Sequence, residues 1–333
     1  MPISPTDLQF FKGALLSDTS PAANGGRLGA VGITSGVKNN LFPDVPLAER
    51  TAGVTHWRKL FLAVRHASNL SLLSPKISLE TPTPGDSYVL LYAGTQTDTQ
   101  DQVTARPYGI GTLSSDAALG ATTLAVTAES AVYASLPAAP FQAGDLIRID
   151  ARADVLSTGL SEYRTIDTVS YNGAAVSLTL TAPLEGEYAS GSRVASVIAA
   201  ATVATSVANL ATTGALTFNP ASLTLNQRGC VYQTWTITIT NAITGALSIS
   251  GDLLGSLGTG AKGATVAPVN PATGQPYFSL AAAGWGGTAT NGDTLTFTTI
   301  PSAVPLWLKR VVPAGAGAIA SDPASLCVEA EST

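Results

Sequence analysis

His56 and His66 are the only imidazoles in the chain, and they limit the catalysis open to it. Hydrolytic or transfer chemistry needs a base within reach of a nucleophile and a third group to orient that base. Both histidines lie in one short segment, and no Gly-x-Ser-x-Gly stands where a strand would turn into a helix. The chain is therefore read as having no catalytic residue. Two distant cysteines and two histidines ten positions apart form no zinc ligand set of ordinary spacing. Cys230 and Cys327 could pair, but are read as two buried thiols. Gly258-Thr259-Gly260-Ala261-Lys262-Gly263 matches Gly-x-Gly-x-x-Gly, yet a dinucleotide site needs a helix to follow, and Val266, Pro268 and Pro271 follow instead; a loop is expected. Asp98 with Asp101, Asp145 with Asp150, and Glu185 with Glu187 lack the density of oxygen ligands of a calcium loop and read as solvated turns. Neither cofactor nor metal is expected.

Composition turns attention from chemistry to surfaces. Only 12% of the residues are charged, against about 25% in ordinary soluble proteins. A surface so poor in charge suits burial against other copies of the same chain, because subunit interfaces are depleted in Lys, Glu and Asp; a Thr- and Ser-rich β-protein is the alternative. The formal net charge of −5 argues against a sequence-specific grip on nucleic acid, which needs clustered cations. Trp57, Trp235, Trp285 and Trp307 read as core or interface anchors before a sugar platform. Met1 to Asp7 carry no basic and apolar signal, so synthesis and retention in a cytoplasm are expected. The uncharged run from Val194 to Phe218 is too rich in Ala, Thr and Ser to favour hydrocarbon, and is read as a connector with no membrane insertion.

The elements that position these residues are strands. In Leu146-Ile147-Arg148-Ile149-Asp150, Leu146, Arg148 and Asp150 fall on one face and the isoleucines on the other, and Tyr163 to Val169 forms a neighbouring strand. Asn172-Gly173 then supplies a turn before Val176 to Leu180. With Gly120 to Val126 upstream and Gly191 to Val197 downstream, these make one small β-domain, sandwich-like or barrel-like. Leu8 to Leu16 fits a capped helix or a strand. Asn39-Asn40-Leu41-Phe42-Pro43 reads as an extended arm, since Pro43 forbids a regular helix. Trp57 to Val64 and Tyr88 to Ala93 are expected to share a sheet. Tyr232 to Thr240 alternates with its threonines on one face, as does Thr294 to Ile300.

The chain is thus expected to be mainly all-β, in three parts. Residues 1–65 form an N-terminal arm and first strands. Residues 66–107 join 200–333 in a discontinuous sandwich or barrel core. Residues 108–199 form a small inserted β-domain.

Several segments resemble virion structural proteins of long-tailed bacteriophages, in particular transposable, Mu-like phages. They are Asn24 to Leu28, Lys38 to Val45, Ala48 to Arg50 with Gly53 to Thr55, Gly292 to Phe297, and Pro305 to Ala314. They lie in both flanks of the chain and make up about a tenth of it. The resemblance implies a particle component without catalytic residues, made in the host cytoplasm and resident in the virion. Its partners would be copies of itself, in a ring or tube, and other virion proteins. A tail tube protein is the reading preferred, its acidic lumen suiting DNA passage. A capsid decoration protein, or a baseplate or receptor-binding part with a carbohydrate-binding β-domain, are the alternatives. Asn39, Asn40, Leu41, Phe42, Pro43, Trp307, Lys309 and Arg310 are the expected subunit-contact residues.

Overall fold

The computed structural model describes residues 2–129, 139–152 and 157–332. Strand accounts for 50% of it and helix for 7%, so the chain is all-β. Val54–Val64 lies inside a six-stranded antiparallel sheet of order Gly25–Ile33, Leu8–Leu15, Val54–Val64, Ala303–Val312, Tyr88–Ala93, Pro107–Tyr108. Residues 60–64 are buried on both faces, which is why their sequence is a continuous apolar run. Leu60, Leu62, Leu306, Leu308 and Leu91 point to one side. There they meet Leu72, Ile77 and Leu79 of a second, three-stranded sheet of order Ile198–Ala199, Leu72–Thr81, Ser325–Ser332. The two sheets form a sandwich.

On the other side of the six-stranded sheet, Tyr88, Leu90 and Trp307 belong to the same core as Leu113, Phe141, Ile147, Ile149 and Leu178. These last belong to the small inserted unit, a closed barrel of order Ser161–Asn172, Ala175–Leu180, Thr123–Ala128, Ile110–Leu113, Arg193–Ser196, Leu146–Asp150. Closure leaves this unit no free edge. The turn at Asn172-Gly173 joins two of its strands, and Gly173 has a φ of +60°, a conformation that favours glycine.

Residues 206–300 build a third unit. Its five-stranded antiparallel sheet runs Ser206–Thr212, Thr294–Ile300, Gln233–Asn241, Ala246–Gly251, Gly255–Ala261. Trp235, Ile237, Leu247, Ile249, Leu295 and Phe297 point inward to Leu216, Tyr277, Phe278 and Leu280, a core of its own. The Trp235 indole donates to Thr299 Oγ1 at 2.8 Å, which satisfies its one polar atom.

Several expectations are redrawn. Leu8–Leu15 is a strand, held in register by Phe10 opposite Leu62. Trp57 to Val64 and Tyr88 to Ala93 share a sheet but are not neighbours, because Ala303–Val312 lies between them. Residues 1–65 contribute three of the six strands of the central sheet. Residues 206–300 do not join 66–107 in one sheet; only the strands from Ala303 onward return to the sandwich. The glycine motif at 258–263 starts in an edge strand, Gly255–Ala261, where a loop was expected. The uncharged run 194–218 is no connector: it contains Ile198–Ala199, Ser206–Thr212 and Ala215–Phe218.

Candidate assembly surface

Alternation along Ala303–Val312 sends Trp307 and Lys309 to one face of the central sheet and Arg310 to the other. Trp307 is fully buried; its Nε1 donates to Asp98 Oδ2 at 2.8 Å and its ring meets Trp57 edge-on. It presents no surface to a neighbouring subunit. Beside it, Lys59 Nζ donates to Asp98 Oδ1 at 2.5 Å and to the carbonyls of Gly26 and Asp98 at 2.6 and 2.8 Å. Burial pushes the Lys59 ammonium below its ordinary value, while Asp98 opposes that shift. Lys309 lies over the Trp57 ring, 5.3 Å from its centre, and burial lowers its pKa too.

The other face gathers the segment expected to be an arm. Asn39 adopts a φ of +59°, tolerable for Asn, and its side chain, then Lys38, holds Asp44 below the usual carboxylate range. Asn40 Nδ2 donates to the Thr34 carbonyl at 2.8 Å. The segment bends back, so that half-buried Leu41 and Phe42 pack against the sandwich core while Pro43 stays exposed. Phe42 is held between two guanidiniums, Arg310 at 4.8 Å and Arg58 at 5.7 Å from its ring centre. Arg58 also donates through Nε to the Leu41 carbonyl at 3.0 Å, and grips Asp18 with two bonds of 2.5 and 2.9 Å. Of the eight expected contact residues, Leu41, Phe42 and Arg310 are thus brought together. Asn39, Asn40 and Pro43 lie on the adjoining surface, and Trp307 and Lys309 lie across the sheet.

Sequence reasoning missed the charges around this clamp. His56, 4% exposed, has Nδ1 3.0 Å from an Arg310 nitrogen and Nε2 3.7 Å from Glu49. Burial, then the Arg310 charge, hold its pKa below 6.5. A second missed cluster ties the outside of the barrel to the three-stranded sheet. Arg148 pairs with Glu80 at 2.6 Å and with Asp150; Arg152 pairs with Asp150 and Glu329, each at 3.0 Å; Tyr163 donates to Glu329 at 2.6 Å. Burial alone would raise Glu329, but the bonds from Tyr163 and Arg152 and the charge of Arg148 outweigh it and its carboxyl lies below the ordinary range. The faces of Leu146–Asp150 were legible in the alternation; the partners, far away in sequence, were not. Cys230 and Cys327 are free and buried, and burial pushes each thiol up to about 12.

The open strand edges complete the surface. Gly25–Ile33 is the outer strand of its sheet, and from Leu28 to Ile33 it carries neither charge nor proline; Val31 is 58% exposed. Its one charge, Arg27, turns onto Asp252 with bonds of 3.0 and 2.6 Å. Ser206–Thr212 and Gly255–Ala261, the outer strands of the five-stranded sheet, carry no charge either. Monomeric proteins usually guard such edges with Lys, Pro or a covering element. Among the described residues, no group of three or more His, Cys, Asp and Glu is placed to hold a metal, and no helix is long and apolar enough to cross a membrane. Comparison with known proteins gave no matching family model, curated protein or solved structure.

Proposed function

We propose that the chain is a self-assembling structural subunit of a bacteriophage particle, and specifically of a tail tube, made in the host cytoplasm and resident in the virion. The observation that carries this reading is the set of open edges on two sheets, without charge from Leu28 to Ile33 and along all of Ser206–Thr212 and Gly255–Ala261. Each offers a row of unpaired backbone groups to another strand, and nothing in its side chains repels one. A chain with 12% charged residues matches what surfaces buried between subunits require. The segments resembling Mu-like virion proteins point the same way, and Phe42 and Arg310 of the clamp lie within them.

The test is the assembly state of the purified chain, by mass measurement and negative-stain microscopy over a range of concentrations. Rings or tubes roughly 100 Å across, the size for domains of this length closing around a lumen, are expected. A monomer at every concentration overturns the reading.

A further inference from the structure

Between residues 201 and 301 the chain carries four charged side chains, Arg228, Asp252, Lys262 and Asp293. Asp252 alone reaches the outward face of the five-stranded sheet, at its rim beside Thr234, where Arg27 neutralises it. Asp252 is tied to Arg27, Arg228 donates to the Arg65 carbonyl, and Asp293 is 8% exposed with its carboxylate on the Thr290 amide; Lys262 follows the last strand, opposite Gly245. The inward face of that sheet is apolar except for Gln233 and Thr299 at one end, whereas the outward face carries hydroxyls in register. Thr296, Thr236 and Ser250 align across three strands, as do Thr294, Thr238 and Ser248, with Thr234 and Thr298 alongside at 3.1 Å between hydroxyls.

Solvent-facing β-surfaces of this extent ordinarily carry Lys or Glu, and the physical question is what a neutral one is suited to meet. The whole chain has a net charge of −5, so two copies repel on average, and a face without net charge adds least to that repulsion. Threonine hydroxyls that bond sideways along the sheet lose little on desolvation. Five strands about 4.8 Å apart, each contributing six or seven residues of about 3.4 Å, span roughly 500 Å². Two partners meeting there would bury about 1,000 Å² in total, the size at which specific interfaces begin. A glycan platform would need exposed aromatic rings, and Trp235, Tyr277, Phe278 and Phe297 are all turned inward.

We infer that the Thr236 face of the five-stranded sheet is a contact surface for a second copy of this chain. The inference rests on the self-assembly reading and assigns one of its interfaces. Thr236→Lys and Thr236→Glu are the tests, because a charge of either sign at the centre of a neutral interface must be desolvated without a partner. Each is expected to weaken association at least about tenfold, with an unchanged circular dichroism spectrum; Thr236→Val, which keeps the branched shape, is expected to assemble as the unaltered chain does. Assembly unchanged by either charged substitution overturns the assignment and leaves the self-assembly reading standing. An unaltered chain that never associates overturns both, and binding of monomeric protein to insoluble polysaccharide, abolished by Thr236→Lys, puts a glycan on the face in place of a second copy.

Discussion

At the scale of single residues, the buried charges carry the sharpest expectations. Lys59 has no exposed side-chain surface, and Asp98 is its one carboxylate partner among the described residues. Removing that carboxylate leaves a cation stranded beneath Trp307. Asp98→Ala is expected to cost about 3–5 kcal/mol, and Trp307→Phe, which deletes one hydrogen bond and some ring area, distinctly less; urea denaturation read by fluorescence or circular dichroism ranks them. His56 supplies a pH signature. Its pKa is lowered in the folded state, so between that value and 6.5 the unfolded chain binds the extra proton. Stability from this group is complete above 6.5 and is lost as pH falls through that window. Unfolding measured from pH 7.5 to 5 is expected to show this loss, and His56→Gln to flatten it; an unchanged slope would mean the imidazole is not the group responsible. None of these partners could be read from sequence, because Asp98 is 39 positions from Lys59 and Arg310 is 254 from His56.

At the scale of elements, alternation served well where strands are amphipathic. Tyr232 to Thr240 and Leu146 to Asp150 have the faces their sequences announce, since a period of two admits one division. It served poorly at 39–45, where Pro43 and two asparagines signal an irregular path but not its destination. The destination is set by Arg58 and Arg310, one on each of two neighbouring strands. Phe42→Ala is expected to lose about 1–2 kcal/mol of local stability and to speed proteolytic cutting after Lys38, with global unfolding little changed. The ionic cluster between barrel and three-stranded sheet gives the opposite balance. Asp150 and Glu329 are both held below their ordinary values, so their contribution is present above the carboxylate range and is lost as pH falls through their folded values. Amide protection in Ser325–Ser332, corrected for the slower intrinsic exchange in acid, is therefore expected to fall before that of the 206–300 unit.

At the scale of the whole molecule, the three units differ in independence. The barrel shares one core with Tyr88, Leu90 and Trp307 of the central sheet, so excising 110–196 uncovers apolar surface and is expected to give an insoluble product. The 206–300 unit has its own core. A fragment of residues 204–302 is expected to fold alone, with a cooperative melt and a buried-tryptophan emission from Trp235; a non-cooperative melt would show that it leans on the sandwich. The sequence made the barrel legible because its strands are consecutive. It hid the central sheet, whose strands come from both ends of the chain.

That last feature has a temporal side. Val54–Val64 and Tyr88–Ala93 are separated in the sheet by Ala303–Val312, so on the ribosome they wait for a strand made about 200 residues later. At roughly 5–20 residues per second this is a delay of about 10–40 s. Throughout it the nascent chain holds an apolar slot in the middle of its first sheet, while the self-sufficient 206–300 unit emerges and folds. An order of maturation follows, in which the two sheets of the sandwich, begun first, are completed only after the 206–300 unit. Chains truncated before residue 303 would then be the species that need a chaperone.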